Sequence, residues 1–183
     1  LLRHLLVRHS RSTDEMMVVL FATEGAVPEV EELTTIIAEK YPQVKSLQWV
    51  INRQLSDSVQ ADESELLLGR DFIYDTLAGF RYRLWFDTFF QTNPVQAEKL
   101  VELAIEMAEP KKDEKMIDLF CGVGTFSLPF AEKVEELAGI EIVDTSIQSA
   151  RRNAKDNGID NTKFYTSDAR RGLAKVIEEF GVP

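Results

Sequence analysis

The spacing of apolar residues changes near residue 87. Before that point, short runs rich in β-branched and aromatic residues alternate with polar stretches, which is typical of strands and turns. One helix is predicted, beginning at Pro28 and ending at Tyr41 and Pro42, and residues 56–64 predict a polar loop. Strands are predicted at residues 2–8, 16–22, 47–52, 65–69, 72–75 and 80–86. Residues 1–87 are therefore predicted to form a small α+β domain.

From residue 88 onward, helical and strand spacing alternate, a pattern that favours a parallel sheet covered by helices. The first helix is predicted to run from its cap Asn93 to Pro110, with Pro94 at its first position and Gln96 as a capping-box partner. The later strands are predicted at residues 115–120, 137–143 and 163–167, and the later helices at 125–133, 144–157 (capped by Asp144) and 172–180. A doubly wound sheet also requires strands beyond its switch point. Residues 88–183 are therefore predicted to be the N-terminal half of a doubly wound, Rossmann-like α/β domain.

Composition and charge narrow the functions that this sequence can have. The 31 acidic and 21 basic residues give a net charge of −10, which argues against the chain binding nucleic acid unaided. A single cysteine excludes an internal disulfide and a cysteine-ligated metal cluster, so no metal site is predicted. No apolar run approaches the roughly 20 residues that cross a bilayer, so a cytoplasmic protein without membrane contact is expected. The start at Leu1 without a methionine, and the end after a helical pattern, predict a piece of a longer protein.

A strand that ends at Asp118 and turns through Gly122 and Gly124 into a helix is a candidate ligand loop, because glycine lets a ligand approach the backbone closely. By itself this turn is compatible with NAD, FAD, S-adenosylmethionine (SAM), or tight strand-to-helix packing with nothing bound. Glu141 ends the next predicted strand, where a carboxylate can accept hydrogen bonds from both ribose hydroxyls of a nucleoside. Asp168 ends the third strand, where an acceptor could meet the amine of an adenine.

The residues around this loop favour SAM over a dinucleotide. The dinucleotide fingerprint has a third glycine for helix packing, and here that position is Ser127. Asp118 suits the ammonium and sulfonium of SAM, whereas it would repel a pyrophosphate. Cys121, in the middle of the loop, is interpreted as a packing residue and not as a nucleophile. The two histidines lie on a predicted hairpin, where solvated or packing roles are expected.

Three segments taken together resemble one enzyme family. They are Thr88-Phe89-Phe90-Gln91-Thr92-Asn93, residues 118–125 and residues 139–143. They resemble the RNA (uracil-5-)-methyltransferases, which make 5-methyluridine in ribosomal or transfer RNA, and the Phe-Phe-Gln-x-Asn stretch is the specific part. The resemblance extends to residues 1–4, 69–73 and 79–83, so it covers most of the chain. It implies a SAM site formed by Gln91, Phe120, Glu141 and a later aspartate.

The same resemblance implies a chemistry that this sequence does not complete. In the family, a thiolate adds to carbon 6 of uracil, carbon 5 takes the methyl group, and a carboxylate base removes the carbon 5 proton. The family places those residues after the point where this sequence ends, and many members begin with an RNA-binding barrel. We therefore expect a cofactor-binding fragment of a SAM-dependent RNA methyltransferase, without catalytic residues of its own. The expected product of the parent enzyme is 5-methyluridine in 23S ribosomal RNA. RNA would bind through other parts of the parent protein.

Two other hypotheses stay open from the residues alone. One is a SAM-dependent methyltransferase acting on a small molecule or a protein, which the Phe-Phe-Gln segment disfavours. The other is a nucleotide-binding module without catalysis, which a cysteine loop and a carboxylate elsewhere in the parent protein would exclude. The sequence does not predict an oligomeric state.

Overall fold

The computed structural model describes residues 2–54 and 61–181. The chain divides into two compact units, which we call unit 1 (Leu1–Asp75 and Arg83–Asp87) and unit 2 (Thr76–Tyr82 and Thr88–Pro183). Among the helices in the described ranges, none has the length and apolarity needed to span a bilayer. Each unit has its own sheet: the sheet of unit 1 mixes parallel and antiparallel pairs, and the sheet of unit 2 is parallel.

Unit 1 contains a four-stranded mixed sheet in the order β1-β2-β3-β4. Its strands are β1 (Leu2–His9), β2 (Met16–Ala22), β3 (Val44–Ile51) and β4 (Glu63–Gly69), and helix α1 (Val30–Lys40) connects β2 to β3. The outer pairs are antiparallel, whereas β2 and β3 are parallel, which requires the crossover that α1 supplies. Met17, Val19 and Phe21 alternate on the buried face of β2, as the period-2 spacing predicts.

The predicted elements of unit 1 are present, and their ends differ from the prediction. Strand β3 begins at Val44 and not at residue 47, because Val44 pairs with Met16 although polar Lys45 and Ser46 interrupt the apolar pattern. Helix α1 begins at Val30 and not at Pro28. The predicted loop 56–64 falls partly outside the described residues, and its last two residues already belong to β4.

A two-stranded sheet is formed by β5 (Ile73–Leu77) and β6 (Phe80–Leu84). Ala78 and Gly79 form the turn and have φ angles of 51° and 82°. Two consecutive positive φ angles are the requirement of the type I′ turns that join twisted antiparallel strands. The turn and its flanking residues 76–82 belong to unit 2.

Unit 2 contains a sheet in the order β7-β8-β9, and its strands are parallel, as predicted. The strands are β7 (Lys115–Leu119), β8 (Glu136–Glu141) and β9 (Thr162–Thr166). The helices are α2 (Pro94–Ala108), α3 (Ser127–Ala131), α4 (Asp144–Asp156) and α5 (Ala169–Phe180). Ala138 and Ile140 of the central strand pack against Val176 and Phe180 of α5, so β8 is buried as a strand between parallel neighbours should be.

Helix starts in unit 2 depend on which side chain caps the first turn. Asn93 caps α2 as predicted, its side chain accepting a hydrogen bond from the Gln96 amide at 3.2 Å. The predicted cap Asp144 is wrong by one residue: Val143 is the cap position, and the Asp144 carboxylate accepts from Gln148 and from the Thr166 hydroxyl. The other two helix starts also differ from the prediction.

Helix α5 begins at Ala169, three residues before the predicted start, because Asp168 caps it. Helix α3 is only five residues long, where residues 125–133 were predicted. Proline at position 129 has no amide hydrogen to donate, which limits regular helix in this segment. Residues 122–126 form turns, so turns and not a helix start follow the glycines directly.

Candidate cofactor site

The carboxyl ends of β7 and β8 lie side by side because the two strands are parallel and in direct register. Asp118 pairs with Gly139, and Leu119 pairs with Ile140. Beyond the end of β7, the amides of Phe120 and Cys121 both donate to the Ile140 carbonyl, at 2.8 and 3.1 Å. The glycine loop is thereby attached to β8 one residue before Glu141. The structure thus brings together the loop and the carboxylate, although Gly122 and Glu141 are 19 residues apart in the sequence.

The backbone of the loop is left-handed at three of five consecutive residues. The φ angles are 66° at Phe120, 54° at Gly122 and 88° at Gly124. A Cβ atom at Gly122 would meet nothing within 4 Å, and one at Gly124 would make ordinary contacts with Leu128 and Ala150. Glycine at these two positions is therefore required by the backbone conformation and not by crowding inside the chain.

The Glu141 carboxylate is held against the loop by backbone amides. Its Oε1 accepts from the amides of Ile142 (2.7 Å) and Val143 (3.0 Å), and its Oε2 accepts from the Gly122 amide at 3.3 Å. A carboxylate oxygen has two lone pairs, so Oε1 is fully used and Oε2 retains capacity for one further donor. A contact to both hydroxyls of a ribose would have to share Oε1 with one of these amides.

Asp118 carries a half-buried carboxylate with a side-chain partner that the sequence did not reveal. The Ser127 hydroxyl donates to Asp118 Oδ2 at 2.6 Å. Burial raises the pKa of the Asp118 carboxyl, and the Ser127 hydrogen bond and the nearby Glu141 charge act in opposite directions on it. In the sequence, Ser127 is recognisable only as the place of a missing glycine. Asp118 and Ser127 are nine residues apart across a turn. Such a spacing is too common in sequences to predict a hydrogen bond between the two side chains.

Cys121 is a packing residue in this structure. It is buried, and its Sγ atom would lie 2.9 Å from a Cβ atom placed at Gly139. Burial, with the charges of Asp118 and Glu141, raises the pKa of the thiol, so it stays protonated at neutral pH. A neutral thiol packed over a strand lacks the thiolate character of a nucleophile.

The Phe-Phe-Gln segment has alternating side-chain directions. Phe89 is 74% exposed, Phe90 is buried against the ring of Tyr82, and Gln91 is half-buried. The Tyr82 and Phe90 ring centroids are 5.5 Å apart. Only one of the two phenylalanines therefore anchors the segment in unit 2, and Gln91 follows it directly.

Asp168 lies on the same edge of the sheet and has a structural role there. Its Oδ1 accepts from the Arg171 amide at 3.1 Å, which starts α5. The neighbouring Ser167 amide donates to the Glu141 carbonyl at 2.9 Å, so Asp168 follows the end of β9 next to the end of β8. The sequence predicts an adenine contact for this residue, and that contact stays a prediction beside the observed cap.

Large apolar side chains are exposed next to these carboxylates. Phe120 is 73% exposed and Ile142 is 65% exposed, and Val143 is exposed beside it. The sequence pattern predicts that Ile142 and Val143 lie inside a strand, whereas β8 ends at Glu141. Carboxylates flanked by exposed apolar groups suit a ligand that has a planar ring, hydroxyls and a positive charge. Within residues 2–54 and 61–181, His, Cys, Asp and Glu side chains form no group that could hold a metal ion.

The chain is similar in sequence to known RNA methyltransferases. The chain matches the model of the tRNA (Uracil-5-)-methyltransferase family over residues 36–177. Uncharacterized RNA methyltransferases of Oceanobacillus iheyensis and Clostridium tetani are 34% and 36% identical to it over 178 residues, which is 97% of this chain. The chain spans 39% of the length of each of these relatives.

Two solved structures are also similar to the chain, one in sequence and fold and the other in fold alone. The Pyrococcus abyssi tRNA (uracil-54, C5)-methyltransferase, in complex with S-adenosyl-L-homocysteine, is 29% identical and superposes with a TM-score of 0.73 over 92% of this chain and 40% of its own. The M. jannaschii tRNA m1G37 methyltransferase is 18% identical with a TM-score of 0.52, over 90% of this chain and 49% of its own, and shows the fold alone. The predicted fold class, a partial Rossmann-like methyltransferase domain preceded by a small α+β region, is confirmed. So is SAM as the cofactor of the family. The chain belongs to the tRNA (uracil-5-)-methyltransferase family.

Proposed function

We propose that this chain holds SAM for an RNA (uracil-5-)-methyltransferase that makes 5-methyluridine. The proposed binding residues are Gln91, Asp118, Phe120, Gly122, Gly124, Glu141 and Asp168. The observation that carries the proposal is the contact between the Glu141 carboxylate and the Gly122 amide at the carboxyl ends of β7 and β8. This contact presents a carboxylate oxygen and a glycine backbone side by side, as a nucleoside site requires.

The charge of the site supports SAM and not a dinucleotide. Asp118 and Glu141 are both acidic, and the pKa of the Asp118 carboxyl is raised mainly by burial and further by the nearby Glu141 charge. Two carboxylates attract the ammonium and sulfonium of SAM and repel a pyrophosphate. Ser127, in place of a third glycine, is engaged with Asp118 and is fully buried.

The substrate proposed for the whole protein is a uridine in structured RNA. The expectation from the sequence is 23S ribosomal RNA, whereas the family description and the Pyrococcus abyssi relative both name transfer RNA. Methylation of each RNA by a full-length protein that contains these residues distinguishes the two. Incorporation of methyl groups from labelled SAM into neither RNA would contradict the proposal of a uridine methyltransferase.

We also propose that the nucleophilic cysteine and the base lie outside these 183 residues. Cys121 is the one cysteine of the sequence, and it is a buried, protonated thiol. Residues 1–183 would then bind the cofactor without completing the methyl transfer, and the chain by itself is expected not to methylate RNA.

Calorimetric titration with SAM tests the cofactor proposal. Glu141→Ala is expected to weaken SAM binding by about 2 kcal/mol, roughly 30-fold, the scale of a charge-assisted hydrogen-bond pair. Glu178→Ala is the matched control, because it removes the same charge from an exposed position on α5. Equal SAM affinity in Glu141→Ala and Glu178→Ala would show that Glu141 does not contribute to SAM binding. Tighter binding of NADH than of SAM would contradict the proposal that SAM is the cofactor.

A further inference from the structure

Tyr82, on β6, contacts two segments that carry proposed cofactor residues. Its side chain is fully buried. Its ring packs against Phe90, the residue before Gln91, with centroids 5.5 Å apart and an interplanar angle of 51°. Its hydroxyl donates to the backbone carbonyl of Thr125, the residue after Gly124, at 3.4 Å. One side chain therefore joins the Phe-Phe-Gln segment to the end of the glycine loop.

The backbone around Tyr82 is fixed on unit 2 by side chains of two helices. The Ala78 amide donates to Glu98 Oε1 of α2 at 2.9 Å. The Asn157 side chain, at the end of α4, accepts from the Arg81 amide at 2.9 Å and donates to the Arg81 carbonyl at 2.7 Å. Because Asn157 pairs with both backbone groups of the preceding residue, the position of Tyr82 is defined independently of its own hydroxyl.

A contact from outside the glycine loop can hold the loop in one conformation. Three of its residues have left-handed backbone, and its two glycines can adopt many other conformations, so local sequence restrains the loop weakly. Binding to a loop that is already ordered avoids the entropy cost of ordering it with the ligand. Burial raises the pKa of the Tyr82 hydroxyl, which therefore remains a donor at all ordinary pH values.

We propose that Tyr82 is a positioning residue of the cofactor site, which holds the Gln91 segment and the glycine loop at a fixed separation. The proposal rests on the proposed function, because it assumes that both segments bind SAM. Tyr82 acts through Phe90 and Thr125. It makes no contact with SAM itself in this proposal.

The test compares two tyrosine-to-phenylalanine substitutions in unit 2. Tyr82→Phe removes the hydroxyl and keeps the ring, and it is expected to weaken SAM binding about threefold, since one neutral hydrogen bond contributes modestly. Tyr82→Leu also removes the ring contact with Phe90 and is expected to weaken binding roughly tenfold. Tyr165→Phe is the matched control: its hydroxyl donates to Glu179 on α5, and SAM affinity should not change.

A second measurement separates positioning from overall stability. Hydrogen–deuterium exchange of the peptide that covers residues 119–128 should accelerate in Tyr82→Phe, and it should stay unchanged in Tyr165→Phe. Tyr82→Phe with the SAM affinity and the exchange rate of the unsubstituted chain would overturn the proposal. So would a weakening in Tyr82→Phe that Tyr165→Phe reproduces. If Tyr82→Leu does not fold, the result for Tyr82→Phe decides alone.

The two proposals can fail separately. If the unsubstituted chain does not bind SAM but exchange is still faster in Tyr82→Phe, the proposed function is contradicted. The inference that Tyr82 restrains the glycine loop would remain supported. If the unsubstituted chain, Tyr82→Phe and Tyr82→Leu all bind SAM with the same affinity, only the positioning role of Tyr82 is contradicted.

Discussion

Units 1 and 2 both contain buried or half-buried polar and charged side chains, but the partners of these side chains differ. In unit 1, the Glu15 carboxylate contacts the Arg70 guanidinium and accepts from the Tyr74 amide at 2.7 Å. The Gln48 side chain donates to the Ser46 hydroxyl and to the Asp71 carbonyl. These bonds connect strands and loops of the same unit, so they hold its framework together.

In unit 2, the corresponding groups lie where strands end. Half-buried Asp118 accepts from the buried Ser127 hydroxyl, and Glu141 accepts from the Gly122 amide of the glycine loop. Phe120 and Ile142 are exposed beside them. All seven proposed cofactor residues belong to this unit. A buried or half-buried polar group is therefore a better indication of a site when exposed apolar residues and left-handed backbone accompany it.

Two glycines with left-handed backbone show the same contrast. Gly69 of unit 1 has a φ of 78°, and a Cβ atom there would lie 2.2 Å from the Lys45 carbonyl oxygen. Gly122 of unit 2 has a φ of 54°, and a Cβ atom there would have no neighbour within 4 Å. The first glycine is required for packing of the chain, whereas the second is required only by its conformation.

The largest expected effect is on the framework of unit 1. Gly69→Ala should lower the free energy of unfolding by about 3 kcal/mol, because the new methyl group overlaps a backbone atom and the conformation disfavours alanine. Urea denaturation followed by tryptophan fluorescence measures it, since both tryptophans, Trp49 and Trp85, lie in unit 1. A denaturation midpoint equal to that of the unsubstituted chain would show that the Lys45 carbonyl can move away.

The next effect is on cofactor affinity in unit 2. Asp118→Asn keeps the size of the side chain and removes its charge, and it should weaken SAM binding by about 1.5 kcal/mol, the scale of one hydrogen bond to a charged group. Calorimetry at neutral pH measures the loss, with Glu178→Ala as the control for a change in net charge. Unchanged affinity would mean that the Asp118 carboxylate does not face the positive groups of SAM.

The same substitution has a pH signature. Burial raises the pKa of the Asp118 carboxyl above its ordinary value of 3.8. Folding therefore favours the protonated group, and its contribution to the free energy of unfolding falls as the pH rises from 3.8 through the raised pKa. SAM affinity should rise over the same range, because the ionised carboxylate attracts a cation. In Asp118→Asn, the free energy of unfolding and the SAM affinity should both depend less on pH. If SAM binding by Asp118→Asn has the same pH profile as SAM binding by the unsubstituted chain, Asp118 is not the source of the pH dependence.

A smaller effect is expected at Gly122, the counterpart of Gly69. Gly122→Ala should lower the free energy of unfolding by about 1 kcal/mol, since only the left-handed conformation disfavours the methyl group. Thermal denaturation of Gly122→Ala and Gly69→Ala under one set of conditions compares them directly. A larger loss at Gly122 than at Gly69 would reverse the distinction drawn between the two glycines.

The smallest effect is expected at Cys121. Cys121→Ala should change SAM affinity by less than about twofold, because the thiol packs on β8 and is not proposed to bind the cofactor. The thiol should also react slowly with a disulfide reagent in the native chain and rapidly in urea, since burial keeps it protonated. Rapid reaction in the native chain would contradict the packing role.

Most of the predicted elements are recognisable from local patterns, because period-2 and helical spacing, proline and glycine act within a few residues. The elements whose ends were predicted wrongly depend on contacts that are distant in sequence or on a choice between nearby caps. Strand β3 begins at Val44 because it pairs with Met16, and α5 begins early because Asp168 caps it. The proposed domain division at residue 87 stays a prediction. In the structure, the hairpin segment 76–82 belongs to unit 2.

The resemblance to the family is readable in the sequence alone, because its specific part, the Phe-Phe-Gln-x-Asn stretch, is a run of consecutive residues. The turn from Asp118 through Gly124 and the spacing to Glu141 are local in the same way, so the order of the proposed site residues is also readable there. The contacts of each side chain, in contrast, depend on how the strands and helices fold together. The tertiary structure paired Ser127 with Asp118, buried the Cys121 thiol, and placed Tyr82 between Phe90 and Thr125. Tyr82 and Thr125 are 43 residues apart, and only the packing of strands and helices brings such residues within hydrogen-bond distance.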